Sequence, residues 1–451
     1  METKEKQKSS KWISSFFPMG VAHGVNGPTI PLFITDVLGG TVAQVGAALS
    51  LSSLASVPAH IVWGKLSDMW KRRKFFIVVG FAGAALSLFM MSLAQTVEMF
   101  ILFIILIGFI EAASVSLGPV LIMESSDRKL WPEKIGTLTR VDDLGHIAGL
   151  IIGTVWLGYM SLQFNPQDNL RMLLFVCAFF GLASVILALI TIKEPTIKIE
   201  SKYREAFIRR RRRAVDRGLK IRYFSYLLNF PNRETFRRLR EHGVNLGHEL
   251  LIYLVAVFIF FIGFIIFFAP FPIFLKDVVG ASDLEIFLLY IFNAIGSTVT
   301  YVKAGKLVER FGAKKLQMCA VGARVIMFPA VGFIGYLLTA EYATRITPMI
   351  SNRTLALLVI GLLFMLIGLM WAVITICSVS TVSYLAPENV KGEAMGLYNA
   401  ATGMGSVCGA SIGGVLAYTF DYKIAYLCSA MFLVIGLIIV YKIHLNINKE
   451  T

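Results

Sequence analysis

Several long apolar stretches of this chain carry side chains that hydrocarbon does not tolerate alone, and their types point to proton chemistry. Glu111 lies near the middle of the run 98–123, and His23 and Asn26 lie near the middle of the run 13–35, just before a break at Pro28 and Pro31. An ionisable group at bilayer depth is costly unless paired or hydrated, so each is a functional candidate by default. Glu111 could bind and release a proton as its surroundings wet and dry; it could instead hydrogen-bond a Ser or His of its own bundle and fix packing only. The run 135–160 carries Arg140, Asp142, Asp143 and His146. Helical spacing puts Asp142 and His146 on one face at i, i+4, and Arg140 and Asp143 on another at i, i+3. One division is a neutralising Arg140–Asp143 pair beside an exposed Asp142/His146 couple, which could relay protons because imidazole titrates near neutral pH. The other treats all four as an intracellular gate that pairs with Glu124 or Asp127. Glu111, Asp142, Asp143 and His146 are thus the proton-coupling candidates.

The second half of the chain is poorer in charge. Phe267, Phe268, Phe271, Phe274, Met370 and Trp371 give it an aromatic, sulfur-rich wall, suited to apolar or flat solutes or, more plainly, to lipid and core. The solute-binding candidates are His23, Asn26, Glu111, Phe268, Asn293, Trp371 and Asn399. Five cysteines (Cys177, Cys319, Cys377, Cys408 and Cys428) fall inside apolar runs without CxxC spacing and read as small packing residues. No metal-ligand spacing, nucleophile–base pair or Gly-x-x-x-x-Gly-Lys-Ser/Thr loop appears, so no cofactor, no catalysis and no ATP-driven pump are expected.

The elements that must hold these groups are membrane spans. The chain has 451 residues, 56% hydrophobic and 16% charged, with a mean hydropathy of +0.71. About 20 apolar residues cross the hydrocarbon core, and twelve runs qualify: 13–35, 42–63, 75–95, 98–123, 135–160, 171–193, 248–275, 284–303, 315–338, 354–380, 392–418 and 422–443. The first follows Lys4, Lys6, Lys8 and Lys11 without a small-residue cleavage site and reads as a retained helix. With the N-terminus inside, the even-numbered loops and both tails hold 36 of the 43 Lys and Arg. The net charge of +15 is therefore a topology signal, and nucleic-acid binding is not expected. Both termini are expected to be cytoplasmic and the protein to sit in the plasma membrane. The triplet Asn352-Arg-Thr354, a formal glycosylation sequon, would lie on an outer loop.

The chain is also written twice. Pro31-Leu-Phe-Ile-Thr-Asp36-Val-Leu-Gly39 returns 241 residues later as Pro272-Ile-Phe-Leu-Lys-Asp277-Val-Val-Gly280. Farther on the offset is 260, matching Gly136, Gly145, Gly149 and Gly153 to Gly396, Gly405, Gly409 and Gly413; the outer insertion 340–353 accounts for the change. Such a long period indicates a duplicated membrane bundle. The expected division is an N-terminal six-helix bundle (1–193), a basic linker (194–247) and a C-terminal six-helix bundle (248–451), all-α throughout. The linker holds 15 Lys and Arg against 6 acidic residues, interleaved with aromatics such as Tyr203, Phe207 and Tyr226. It is expected to lie as amphipathic helices on anionic lipid headgroups. Small residues at four-residue spacing on spans five and eleven are expected at the seam between bundles, sliding as they rock.

Between spans two and three, Gly64-Lys-Leu-Ser-Asp68-Met-Trp-Lys-Arg72-Arg-Lys74 resembles the signature loop of the major facilitator superfamily. Gly305-Lys-Leu-Val-Glu309-Arg310-Phe-Gly312 resembles its second copy. The span-five glycines and Gly108-Phe-Ile-Glu111-Ala-Ala113 resemble motifs of the drug/proton antiporter branch, with Ile104 where that branch has Arg and without its Gly-Pro pair. The resemblance implies two bundles of six helices with alternating access, in which spans one, four, seven and ten line a central cavity. It also makes span nine peripheral, so Arg324 there is read as structural or snorkelling. The loops carry the gating candidates Gly64, Asp68, Arg72, Arg73, Gly305, Glu309 and Arg310, with Arg140 beside them. Gly64 lets helix ends approach. Asp68 can accept from a neighbouring helix start or pair with Arg72, as a latch that holds the outward-facing state. The expected function is proton-coupled export of an amphipathic or hydrophobic compound by a monomer. Its partners would be a small solute, protons and membrane lipids. Uptake of a polar metabolite such as a sugar or organic ion, and a transporter-derived receptor or lipid-moving protein, remain the alternatives.

Overall fold

The computed structural model describes residues 11–70, 72–126, 130–160, 163–194, 248–339, 352–386 and 391–443; most of the basic linker lies outside the described residues. The described chain is helical, as its apolar runs require, because backbone polar groups in hydrocarbon must be satisfied within each segment. In chain order the helices are α1 (Phe16–Leu32), α2 (Val42–Trp70), α3 (Arg73–Ser92), α4 (Val97–Ser125), α5 (Trp131–Met160) and α6 (Pro166–Thr191). After the linker come α7 (His248–Asp277), α8 (Asp283–Phe311), α9 (Ala313–Thr339), α10 (Asn352–Leu385), α11 (Lys391–Thr419) and α12 (Tyr422–Lys442). Among the described residues eleven of these are long and apolar enough to cross a membrane. The twelfth, α1, has 17 residues and is lengthened by a 3-10 turn (Lys11–Ser15) and a π turn (Phe33–Val37).

The prolines behave differently in the two copies. α1 runs unbroken through Pro28 and Pro31, against the expected break. Its counterpart α7 is interrupted after Phe268 and resumes at Phe271, because Pro270 and Pro272 together withhold two neighbouring backbone donors. Both copies then turn on a glycine in the left-handed region, Gly39 (φ 65°) and Gly280 (φ 71°), a conformation that only glycine adopts without strain.

The duplication is visible in the packing. In the first bundle α1 lies on α5 and α6, α2 on α4, and α3 on α4 and α6; in the second α7 lies on α11 and α12, α8 on α10, and α9 on α10 and α12. Gly145 meets the backbone at Phe17 and Val21, and Gly405 meets Phe258 and Ile262, the same residues one repeat on. Gly108 abuts the Ser52 carbonyl as Gly368 abuts that of Asn293. These glycines therefore tie helices together inside each bundle, which corrects the expectation that they line the seam. Others on α5 and α11 reach across: Gly153 against Phe287, Gly158 against Leu284, Gly403 against Val57 and Gly414 against Gly46. The seams are α2 on α11 and α5 on α8.

The two faces of the molecule differ. On one, Lys276 at the end of α7 bridges Asp36 at the end of α1 and Asp283 at the start of α8, which closes that face across the bundles. Ser50 also crosses, donating to the Val407 carbonyl at 2.9 Å. On the opposite face, Gly64, Gly136, Gly305 and Gly396 have nothing within 4 Å of where a Cβ would stand. These four lie on α2, α5, α8 and α11, so the seam helices stand apart there. The expected close approach at Gly64 is absent in this arrangement, because that face is open. Lys276→Met should loosen the closed face. Cysteines placed in the half of α1 nearest Lys276 should then react several-fold faster with a membrane-impermeant thiol reagent applied from that side; unchanged rates would show that the lysine holds nothing shut.

The signature loop on the open face is organised around Arg73. Its side chain, only 4% exposed, bonds Glu124 through Nε (2.9 Å) and through Nη2 (2.5 Å), meets Asp68 at 2.6 Å and also donates to Ser67. Asp68 thus pairs with Arg73 rather than Arg72, which is exposed. Glu124 is occupied and does not serve Arg140, and Asp127 lies outside the described residues. The network is internal to one bundle and intact while the face is open, so it sets the α2–α3–α4 corner. In the second copy Glu309 and Arg310 are exposed, and Lys314, the counterpart of Arg73, instead donates to the Tyr441 and Ile443 carbonyls. Arg73→Leu would strand Glu124, and breaking a buried pair from one side costs about 3–5 kcal/mol. A clear fall in the melting temperature of the purified protein is expected; no shift would mean that the corner is held otherwise.

Candidate functional site

Three helices of the first bundle bring the site together, and glycine makes it possible. A Cβ on Gly20 would strike the Asp142 carbonyl and one on Gly24 the His146 carbonyl, while Gly145 and Gly149 face the α1 backbone in return. With no side chains between them, α1 and α5 touch backbone to backbone. His23, between Gly20 and Gly24, therefore projects beside that contact and toward α4.

Its imidazole stands between two carboxylates. Nε2 lies 2.5 Å from Glu111 Oε1 of α4, and Nδ1 lies 3.5 Å from Asp142 Oδ1 of α5. A neutral imidazole has one N–H and one lone pair, whereas an ionised carboxylate offers only acceptors. With both ring nitrogens facing carboxylates, one contact sets lone pair against lone pair unless the cluster holds an additional proton. The geometry is thus that of three groups sharing protons. Their side chains are 32% (His23), 17% (Glu111) and 40% (Asp142) exposed, so the helices enclose the cluster only in part.

The partnerships differ from those read within single helices. Asp142 pairs with His23 rather than forming a couple with His146. No ion pair joins Arg140 to Asp143 among the described residues, and Arg140 is exposed toward the open face. Asp143 and His146 are partly buried on α5 near the cluster. Asn26 lies one turn after His23, buried, with its Oδ1 unbonded among the described residues. His60 of α2 bonds Ser116 through Nδ1 at 2.6 Å and lies within electrostatic reach of Glu111.

In the second bundle the same places are aromatic. Phe264 and Trp371, which follow His23 and Glu111 by 241 and 260 residues, meet edge to face with centroids 5.8 Å apart. Phe261 adds to Trp371, and Phe268 stands against Phe267, Phe328 and Phe364. Asn293 is half-buried, and its amide donates to the Phe364 carbonyl at 2.8 Å, which ties α8 to α10. Asn399 is exposed toward the open face, away from the aromatic wall. Of the two roles read for Arg324, structural or snorkelling, the second does not apply: it is fully buried, among Phe264, Phe268, Phe328 and Trp371. Its place well inside α9 is the signal that a reach to the interface was out of range.

Comparison with known proteins agrees with this architecture. The chain is 22% identical to an uncharacterised MFS-type transporter of Methanocaldococcus jannaschii over 86% of this chain and 83% of that one. It is 26% identical to another from the same organism, over 42% of this chain and 44% of the relative's length. Among solved structures it superposes on a nucleoside transporter with a TM-score of 0.72 at 14% identity, over 97% and 100% of the two chains. A D-xylose-proton symporter gives 0.66 at 15% identity, over 98% of each. The Major Facilitator Superfamily model matches residues 12–400, a stretch that runs from α1 into the first turns of α11 and takes in the α5–α8 seam. This chain belongs to the major facilitator superfamily and is a multi-pass membrane transporter.

Proposed function

We propose that the protein is a proton-coupled secondary transporter that works by alternating access, with coupling in the first bundle and solute contact in the second. The observation that carries this is the His23 ring between Glu111 and Asp142, a cluster that gains or loses a proton at little structural cost. In the arrangement described, the cluster communicates with the open face. That face carries the signature loops, and the excess of Lys and Arg in the adjoining loops supports its assignment to the cytoplasm. The arrangement is then inward-facing, with Lys276 closing the outside. Rocking about the α2–α11 and α5–α8 seams would break the Lys276–Asp36 contact and bring Gly64 and Gly305 against their neighbours. The latch expected at Asp68 belongs to that other state. Asp143 and His146 complete the proton path, and Arg140 with Glu309 and Arg310 lies where the closing face would meet.

The favoured cargo is an amphipathic or hydrophobic compound moving outward, because Phe268 and Trp371 offer ring surface rather than hydrogen bonds. Proteoliposomes with an imposed pH gradient and an internal pH dye test this. Proton movement should begin only when solute is added, and solute should move against the proton. Movement of both in the same direction would turn the reading to uptake, and solute-independent proton leakage would remove the coupling claim.

A further inference from the structure

The second bundle holds a cation that nothing in the described protein neutralises. Arg324 is 0% exposed. Its Nη2 donates to the Ile367 carbonyl at 2.6 Å, while Nε and Nη1 have no hydrogen-bond partner among the described residues. Four rings surround it: Phe264 at 4.8 Å, Trp371 at 5.2 Å, Phe328 at 5.6 Å and Phe268 at 5.9 Å from the guanidinium carbon. Aromatic faces attract a cation, yet they accept none of its in-plane N–H bonds. No carboxylate lies within ion-pair distance among the described residues.

The repeat makes the placement pointed. The position 241 residues earlier is Gly83, so the duplicate bundle has no charge here. Where the first bundle sets acids and a histidine around its interior, the second sets rings with one arginine behind them. Phe268 and Trp371 keep part of their surface uncovered, and Trp371 stands at the place of Glu111. Tyr301 of α8 is within electrostatic reach of both Arg324 and Asp143. The cation and Asp143, one residue from the acid cluster, therefore act on one tyrosine across the α5–α8 seam. Arginine, once desolvated, is matched best by carboxylate or phosphate.

We infer that Arg324 is the anion-recognition residue of the solute site, and that the solute class is an amphipathic anion: a carboxylate or phosphate head taken up by the unbonded guanidinium N–H groups, with an apolar or aromatic body against Phe268 and Trp371. This deepens the transport reading and rests on it for the word solute. A displaced ring, Trp371 or Phe268, admits the head group.

The test compares isosteric probes on purified protein: 4-phenylbutyrate against 4-phenylbutyramide, and benzyl phosphate against benzyl alcohol, read by thermal stabilisation and by quenching of tryptophan emission. Wild type should bind each anion at least about tenfold more tightly than its neutral partner, and Arg324→Gln should lose that preference while Arg324→Lys keeps part of it. Equal response of wild type to anion and neutral probe overturns the proposal, and this arm does not depend on a variant folding. A third arm adds phosphatidylglycerol; stabilisation by the lipid alone, with no response to the soluble anions, would make Arg324 a lipid site and overturn the proposal as well. Proton coupling is read separately in vesicles. Anion preference that survives without coupling supports the site and faults only the coupling reading; coupling without anion preference faults the site alone.

Discussion

Glu111→Gln should leave a carrier that equilibrates its solute across the membrane and concentrates nothing. Glutamine keeps the shape of the side chain and a hydrogen-bonding oxygen toward His23 Nε2, but it cannot carry the exchangeable proton. A carrier moving one proton per solute supports about a tenfold solute gradient, about 1.4 kcal/mol, for each pH unit. The variant should hold none of it, while exchange of labelled for unlabelled solute, which needs no net proton movement, continues. His23→Gln should behave alike, because Asp142 and Glu111 then lose the group between them. The measurement is accumulation against counterflow in the same vesicle preparation. Accumulation by Glu111→Gln at the wild-type ratio would show that the carboxyl is a packing element and that the coupling proton rides elsewhere.

Gly24→Val should strike the fold and the coupling together. The new methyl groups have no space: a Cβ at this position already collides with the His146 carbonyl, and backbone cannot swing aside as a side-chain tip does. Overpacking of this kind costs about 1–3 kcal/mol, occasionally more, and the strain is relieved only by parting α1 from α5. That parting would carry His23 off Asp142, so coupling should fall even where folded protein is recovered. Gly136→Val, on the α5 helix that Gly24 touches, is the matched control, since nothing lies within 4 Å of its Cβ position. Melting temperature and pH-driven accumulation should both drop for the first and hold for the second. Equal behaviour of the two would mean that the α1–α5 contact is looser than its geometry.

The fold was legible in the primary structure because a duplicated pattern of apolar runs is a statement about the whole chain. Gly39 and Gly280 turn the same way in both copies, and the crossings at Gly108 and Gly368 repeat residue for residue. The cluster was legible in part: His23, Glu111 and Asp142 stood among the candidates, and a histidine partner for Glu111 was one of the readings, but the contact of His23 with Asp142 was not. Helical spacing relates neighbours on one helix, so it linked Asp142 to His146 and Arg140 to Asp143. The real contact of Asp142 is with His23, 119 positions earlier, and only the packing of α1 on α5 creates it. A clue was present: Gly20 and Gly24 on α1 have the same spacing as Gly145 and Gly149 on α5, and two such flat faces seek each other. Of the structural and snorkelling roles read for Arg324, its burial leaves the first; three of its four rings come from α7 and α10 and one, Phe328, from its own helix.

Lys276 has two acidic partners with different loyalties. Asp283 belongs to its own bundle, whereas Asp36 belongs to the other. When this mouth parts, the lysine surrenders one neighbour and keeps the second, so the parted mouth never presents a naked ammonium to oil. Ions in the medium on that side can compete for the surrendered half of this tie but hardly for the retained half. Ionic strength on the Lys276 side of the membrane should therefore tune how often the mouth opens, as a rheostat does, and leave the architecture that opens it untouched.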